Sequence, residues 1–454
     1  QRVAFALHQI LVVSGLSPLN RAAWMTPYLQ ALDREAFGNY RTLLKDITLN
    51  PAMGEYLDMR LSRASDPNEN FAREILQLFS TGVNELNLDG STKLDAQGVP
   101  IPSYSQTTVN EFTRVFTGWN FAAAIPSQEF PGQFVTNYRD PMAPRGGTNH
   151  DTGAKTLFGT TLTGCPGANG AANIACAQTE LTAALEIIFN HPNVGPFVGK
   201  QLIQHLVTSN PSPAYVSRVA RVFNNDCDAL YPLQGCSGLR GNMKAVVQAI
   251  LLDPEARGDV KTDPNYGKLR EPAQYINGVL RAFNVKSFDR ASTSDGVLGV
   301  RSSVDFTGSL DQPIFLPPTV FSYYQPEYEV PGIKILGPAF VILSTSTTLR
   351  RANNINTLIY TGVAPNTTPT AQSPDRPRGT SVDLAYLEAL ASNPDSLLDE
   401  LNRLLLHGTM SQSVRDSIRV AINSIPTSDV NFARKRAQTA AYLVTTSSQY
   451  DMQR

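Results

Sequence analysis

The stretch Asp66-Pro67-Asn68-Glu69-Asn70-Phe71-Ala72-Arg73-Glu74-Ile75-Leu76-Gln77-Leu78-Phe79-Ser80 decides how this chain is read. Phe71, Ile75, Leu78 and Phe79 recur at i, i+4, i+7 and i+8, so they share one face of a helix. Asp66 is expected as its N-cap, Pro67 as its first residue and Glu69 as the far half of a capping box. Gly82 stands where a helix of this length would be closed by a residue in the left-handed conformation. Asn70, Glu74 and Gln77 form a polar stripe beside the apolar face, with Glu69 and Arg73 as an i, i+4 pair next to it.

Outward from this segment the same periodicity returns. Val3, Leu7, Ile10 and Leu11 mark an opening helix. Further helices are expected over 40–49, from Pro51 through Met53, Leu57 and Leu61, and over 109–116, 181–189, 191–207, 211–223, 244–252 and 268–283. A closing set is expected at 384–390, 397–406, 414–422 and 431–447. Between them, residues 120–180 and 284–345 read as loop-rich insertions, 361–380 as an exposed loop, and Asp89-Gly90 as a turn. The expected fold is mainly α: one large multi-helix domain over 1–454, with long irregular loop insertions and at most a few short β-hairpins. The chain opens at Gln1 already inside a helical pattern, without Met or a basic-then-apolar leader, so a native upstream segment is expected to be missing.

The formal net charge of -1 gives no electrostatic case for nucleic acid or an anionic membrane. No stretch approaches the roughly 20 apolar residues of a membrane span. Four cysteines fall in two close pairs, Cys165 with Cys176 and Cys227 with Cys236, each around a turn-rich loop. Of the three possible connectivities, proximity favours this local one. The rivals are four free thiols and a zinc site. The latter lacks a Cys-x-x-Cys and has no histidine near either pair in sequence. Disulfides imply a periplasmic or extracellular protein.

Several segments resemble the bacterial family known as domain of unknown function 1800. The most distinctive is Asn68 through Gly82. Others are Phe116-Thr117-Gly118-Trp119; His150-Asp151 with Gly153, Lys155 and Gly159; His191-Pro192 through Lys200-Gln201-Leu202; Gly267-Lys268-Leu269-Arg270-Glu271-Pro272; Gln312-Pro313 with Pro317-Pro318; and the closing Ser447 to Arg454. The resemblance implies an exported protein with further residues upstream. It also implies a second exported, sulfatase-like protein as a partner, and it carries no activity.

Candidate chemistry rests on residue type. Glu74 and Glu271 are candidate general acids or bases, with His150 and Asp151 as loop-borne catalytic participants. Arg73, Asn70, Arg270 and Lys268 are candidate substrate-binding groups, the cations serving as anion clamps. Each has a structural alternative: ion networks for Arg73, Glu74, Lys268, Arg270 and Glu271, and an Asx turn for Asp151. No zinc signature, nucleophile elbow, phosphate loop or haem motif is present, so no metal is assigned and the cofactor is open. His8 is expected to face the upstream segment. The aromatics of 313–328 are candidates for stacking on sugar rings, or for packing a long loop. Two functions follow: a hydrolase or lyase acting on an extracellular polymer such as polysaccharide, or a non-catalytic envelope or surface protein that binds a partner.

Overall fold

The structure is a computed structural model. It describes all residues except 17, 20–21, 128–129, 146–148, 167–169, 231–234, 259–262, 264, 300–305 and 366–377. The fold is mainly α. Among the described residues there are 18 α-helices, and the only sheets are two-stranded and antiparallel. No helix among them is long and apolar enough to cross a membrane.

The chain gathers into two compact units: Gln1–Tyr266 with Phe315–Pro326, and Gly267–Ile314 with Glu327–Arg454. No composition shift marks any of the three crossings. Each unit has its own apolar core. In the first, Leu7, Tyr28, Leu43, Phe71, Ile75, Phe112, Val198 and Val246 are fully sealed from solvent. In the second the same holds for Val279, Phe283, Ile355, Leu397, Leu401 and Val444.

The helix of the opening stretch spans Asn70–Gln77, later than expected. Asp66 does not cap it; its amide turns back to the Arg63 carbonyl at 3.0 Å. Asn68 takes over locally, its side-chain oxygen accepting from the Asn70 amide at 2.9 Å. Aspartate before proline serves turns as well as caps, which is why the spacing misled. Gly82 does close the segment: its φ of +68° lets its amide reach the Leu76 carbonyl at 3.0 Å.

Other elements shift for equally local reasons. Pro51–Tyr56 starts at Pro51 but stops before Leu57, because Asp58 and Leu61 take left-handed backbone conformations. Ala22–Glu35 was not expected, since Pro27 interrupts its pattern; Trp24, Tyr28 and Leu32 nevertheless bury one face. Ala171–Phe189 begins ten residues before the periodic apolar run, on an alanine-rich turn that favours helix without marking a face. Thr345–Asn356, polar along most of its length, was also invisible to periodicity. Within residues 120–180 the strands are short pairs, such as Lys155–Leu157 with Thr160–Leu162. Much of the 361–380 loop lies outside the described residues.

Candidate functional site

In the first unit the signature segments meet at joints. The loop before the opening helix is one hub. Ser62 accepts the Asn68 amide through its hydroxyl at 3.0 Å, while its carbonyl takes the Gly118 amide at 2.8 Å. Gly118 has φ +81°, and a Cβ there would stand 2.8 Å from the His150 amide nitrogen, so this position is tied to glycine both by backbone and by space. At the far end of the opening helix, the Asn193 side-chain amide donates to the carbonyls of Thr81 and Asn84, both at 2.8 Å.

His150 and Asp151 sit in a buried charge network. His150 Nδ1 faces the Thr117 carbonyl at 2.9 Å, and Nε2 faces Glu180 Oε2 at 2.9 Å. Lys155 Nζ donates to Glu180 Oε2 at 2.8 Å and to the carbonyls of Asp151 and Gly153. Asp151 takes a bidentate pair from Arg114, at 3.1 and 3.0 Å, and an Asx-type bond from the Gly153 amide. Arg114 also holds Glu111. Burial alone would raise the Glu180 carboxyl, but hydrogen bonds from His150 and Lys155 outweigh it and hold the group below its ordinary range. Asp151 is held low in the same way, by Arg114 and the Gly153 amide against burial. Sequence spacing placed no histidine beside a cysteine pair. The fold corrects this: ligand atoms of His150, Cys165 and Glu180 all lie within 4.8 Å of one another.

Glu74 belongs to another neighbourhood. Burial pushes its carboxyl up, with Arg73 opposing, and its Oε2 is buried with no hydrogen-bond partner among the described residues. Tyr56, raised to about 12 by burial and by Glu74, is nearby. Arg73 is engaged by Glu69 at 2.7 Å and Gln106 at 2.9 Å, and Asn70 by Asp58 at 3.2 Å. His8 does not face outward. It is fully buried between Tyr28 and Phe315, and burial lowers it to about 4. Tyr324 bonds Gln9 and stacks on His205, so these aromatics pack within the unit.

The second unit has its own joint. Lys268–Leu269 pairs with Met452–Gln453. Lys268 Nζ donates to Glu271 Oε1 at 3.1 Å, and Glu271 Oε2 accepts from Gln312 at 2.7 Å in a fully buried pocket of charge. Arg270 donates to the Tyr450 and Leu405 carbonyls and lies 4.2 Å from the Tyr450 ring centre.

So the segments quoted from the sequence are the places where each unit is fastened together. Residues 1–452 match the family described as "Protein of unknown function (DUF1800)". The chain belongs to this family. No curated protein and no solved structure matches it.

Two concavities mark this DUF1800 chain, both in the first unit. One, of about 520 Å³, is lined by the 55–69 loop, including Glu55, Asp58, Asp66 and Glu69 with Arg60. The other is an open groove of about 1080 Å³ between Ala171–Phe189 and the 39–42 and 239–240 segments. Its walls carry Asn39, Thr42, Gln178, Thr179, Thr182 and Asn190, with Arg41 paired to Glu186. Arg240 has its guanidinium spent on the Phe189 and His191 carbonyls and on Asn224. None of the eight residues singled out for catalysis or substrate binding lines either concavity.

Both cysteine pairs are disulfides, with Cα separations of 5.5 and 5.2 Å. In sequence, Cys176 is next to the groove residue Ala175, and Cys236 stands three residues before Leu239. Asp226 stiffens the segment from Cys236 to Leu239: its carboxylate accepts from Ser237, Leu239 and Asn242, which outweighs burial and holds it low. The groove was missed in the sequence because its lining polar residues follow no catalytic or binding motif. The cysteine spacing was the one available signal.

Proposed function

We propose that this is an exported envelope or surface protein that holds a hydroxyl-rich polymer, such as a polysaccharide, in the groove of the first unit. The observation that carries the reading is the groove itself: large, open, and lined by exposed amide and hydroxyl side chains among apolar ones. Its volume reaches the upper end of known ligand sites, at roughly 300–1,000 Å³. With Arg41 paired to Glu186 and Arg240 engaged, the exposed Thr42, Gln178 and Thr182 beside the apolar Leu239 suit a sugar ring better than a strongly charged substrate. The disulfides support export, since such bonds persist in oxidising compartments.

The hydrolase or lyase reading would rest on Glu74, whose carboxyl burial raises, since the other candidate residues are engaged. Glu271 and His150 are buried in ion networks, Arg270 and Lys268 are spent on carbonyl and carboxylate partners, and Arg73 is tied to Glu69. The sulfatase-like exported protein remains the alternative occupant of the groove.

Calorimetric titration with neutral and acidic polysaccharides tests this. Thr182 is exposed on the groove wall, so Thr182→Trp should obstruct part of it and weaken polymer binding by about tenfold, the effect of roughly 1.4 kcal/mol. Unchanged binding by Thr182→Trp, or saturable binding of the sulfatase-like protein alone, overturns the polymer assignment.

A further inference from the structure

The Cys165–Cys176 disulfide stands against the His150–Glu180 pair, and this contact has a chemistry of its own, independent of the groove. We infer that, once this disulfide is reduced, His150, Cys165 and Glu180 form a binding site for a divalent transition-metal ion of the zinc type.

The donor set suits such an ion: one imidazole nitrogen, one thiolate and one carboxylate, leaving a fourth position for water. Their ligand atoms lie within 4.8 Å of one another. A tetrahedral ion with bonds of about 2.0–2.3 Å needs ligand–ligand edges of roughly 3.3–3.7 Å. Closure therefore asks for movements of about 1 Å, within reach of side-chain rotation. A second observation points to the same spot. Glu180 is buried, and among the described residues its Oε1 meets no hydrogen-bond partner, while Oε2 takes both His150 and Lys155.

In the oxidised chain the sulfur is a neutral disulfide atom, a poor donor, and the site is closed to metal. Reduction by a dithiol or phosphine breaks the S–S bond, adds two electrons and two protons, and leaves two thiols. Charge then favours the ion. Three carboxylates (Glu111, Asp151 and Glu180) stand in this network beside the cations of Arg114 and Lys155. The His150 ring is already aimed, with Nδ1 against the Thr117 carbonyl and Nε2 against the Glu180 carboxylate, so Nε2 and a Glu180 oxygen converge on one spot. Lys155 need not leave, because the Asp151 and Gly153 carbonyls also hold it, at 2.7 and 2.9 Å.

The test uses untagged full chain, Co2+ as the probe, and absorption spectroscopy. Cys176→Ser frees the Cys165 thiol without reductant, and phosphine-reduced wild-type chain is the second arm. Both should bind one Co2+ per chain with a sulfur-to-cobalt charge-transfer band. The oxidised chain should show no such band. Adding His150→Gln to Cys176→Ser should weaken binding at least about tenfold. The inference is overturned if neither reduced form shows the band, if His150→Gln changes nothing, or if oxidised chain binds equally well. Circular dichroism accompanies each sample. If Cys176→Ser unfolds, the reduced wild-type chain decides; if both unfold, the site is lost with the disulfide and the inference fails.

Discussion

Lys155 shows how much one side chain holds. It is fully buried, and its ammonium joins Glu180 to the loop carrying Asp151 and Gly153. Lys155→Met would leave a buried carboxylate facing His150 alone. Breaking such a pair typically costs about 3–5 kcal/mol, so chemical denaturation should show a loss of that order. Glu74 should behave in the opposite way. A carboxyl raised by burial makes the fold less stable as pH climbs through that raised value. Glu74→Gln should therefore be neutral or stabilising at pH 7, with its effect vanishing in acid. Glu180 and Asp151, held low, add stability above the usual carboxylate range that is lost as pH falls below about 4. His8 adds an earlier acid loss. Its folded value is about 4 against 6.5 in the open chain, so stability present above pH 6.5 falls away between 6.5 and 4, by about 3 kcal/mol. Denaturant titrations of His8→Gln across this range should be flatter than those of the wild-type protein.

At the scale of elements, apolar periodicity carried most of the reading and failed where it is silent. The face of Phe71 and Ile75 was legible because a helix buries the same face on successive turns. The start of that helix was not, since Asp66 and Asn68 are equally fit to cap or to turn. Ala171–Phe189 gave only its second half, because alanine supplies propensity without a face. Of the His150 network, only His150 and Asp151 were singled out. Arg114 and Glu180 come from helices 37 residues before Asp151 and 30 after His150, and no spacing rule joins them. The joints themselves make a prediction. Gly118→Ala sets a side chain into a left-handed backbone and against the His150 amide. It should cost at least about 1 kcal/mol and lower Tm, whereas Gly98→Ala, with open space around it, meets only the backbone term.

At the scale of the whole molecule, the quoted family segments are fasteners in each unit, and Glu74, Glu271, His150 and Asp151 are not among the residues that line the groove. Reduction of the two disulfides should lower stability by about 2–4 kcal/mol per bond, read by chemical denaturation. The central claim, that the protein holds a polymer without cutting it, is tested most directly by the size profile of a bound polysaccharide after prolonged incubation with the purified chain. The account predicts an unchanged profile. Shortening of the polymer that disappears in Glu74→Gln would contradict it.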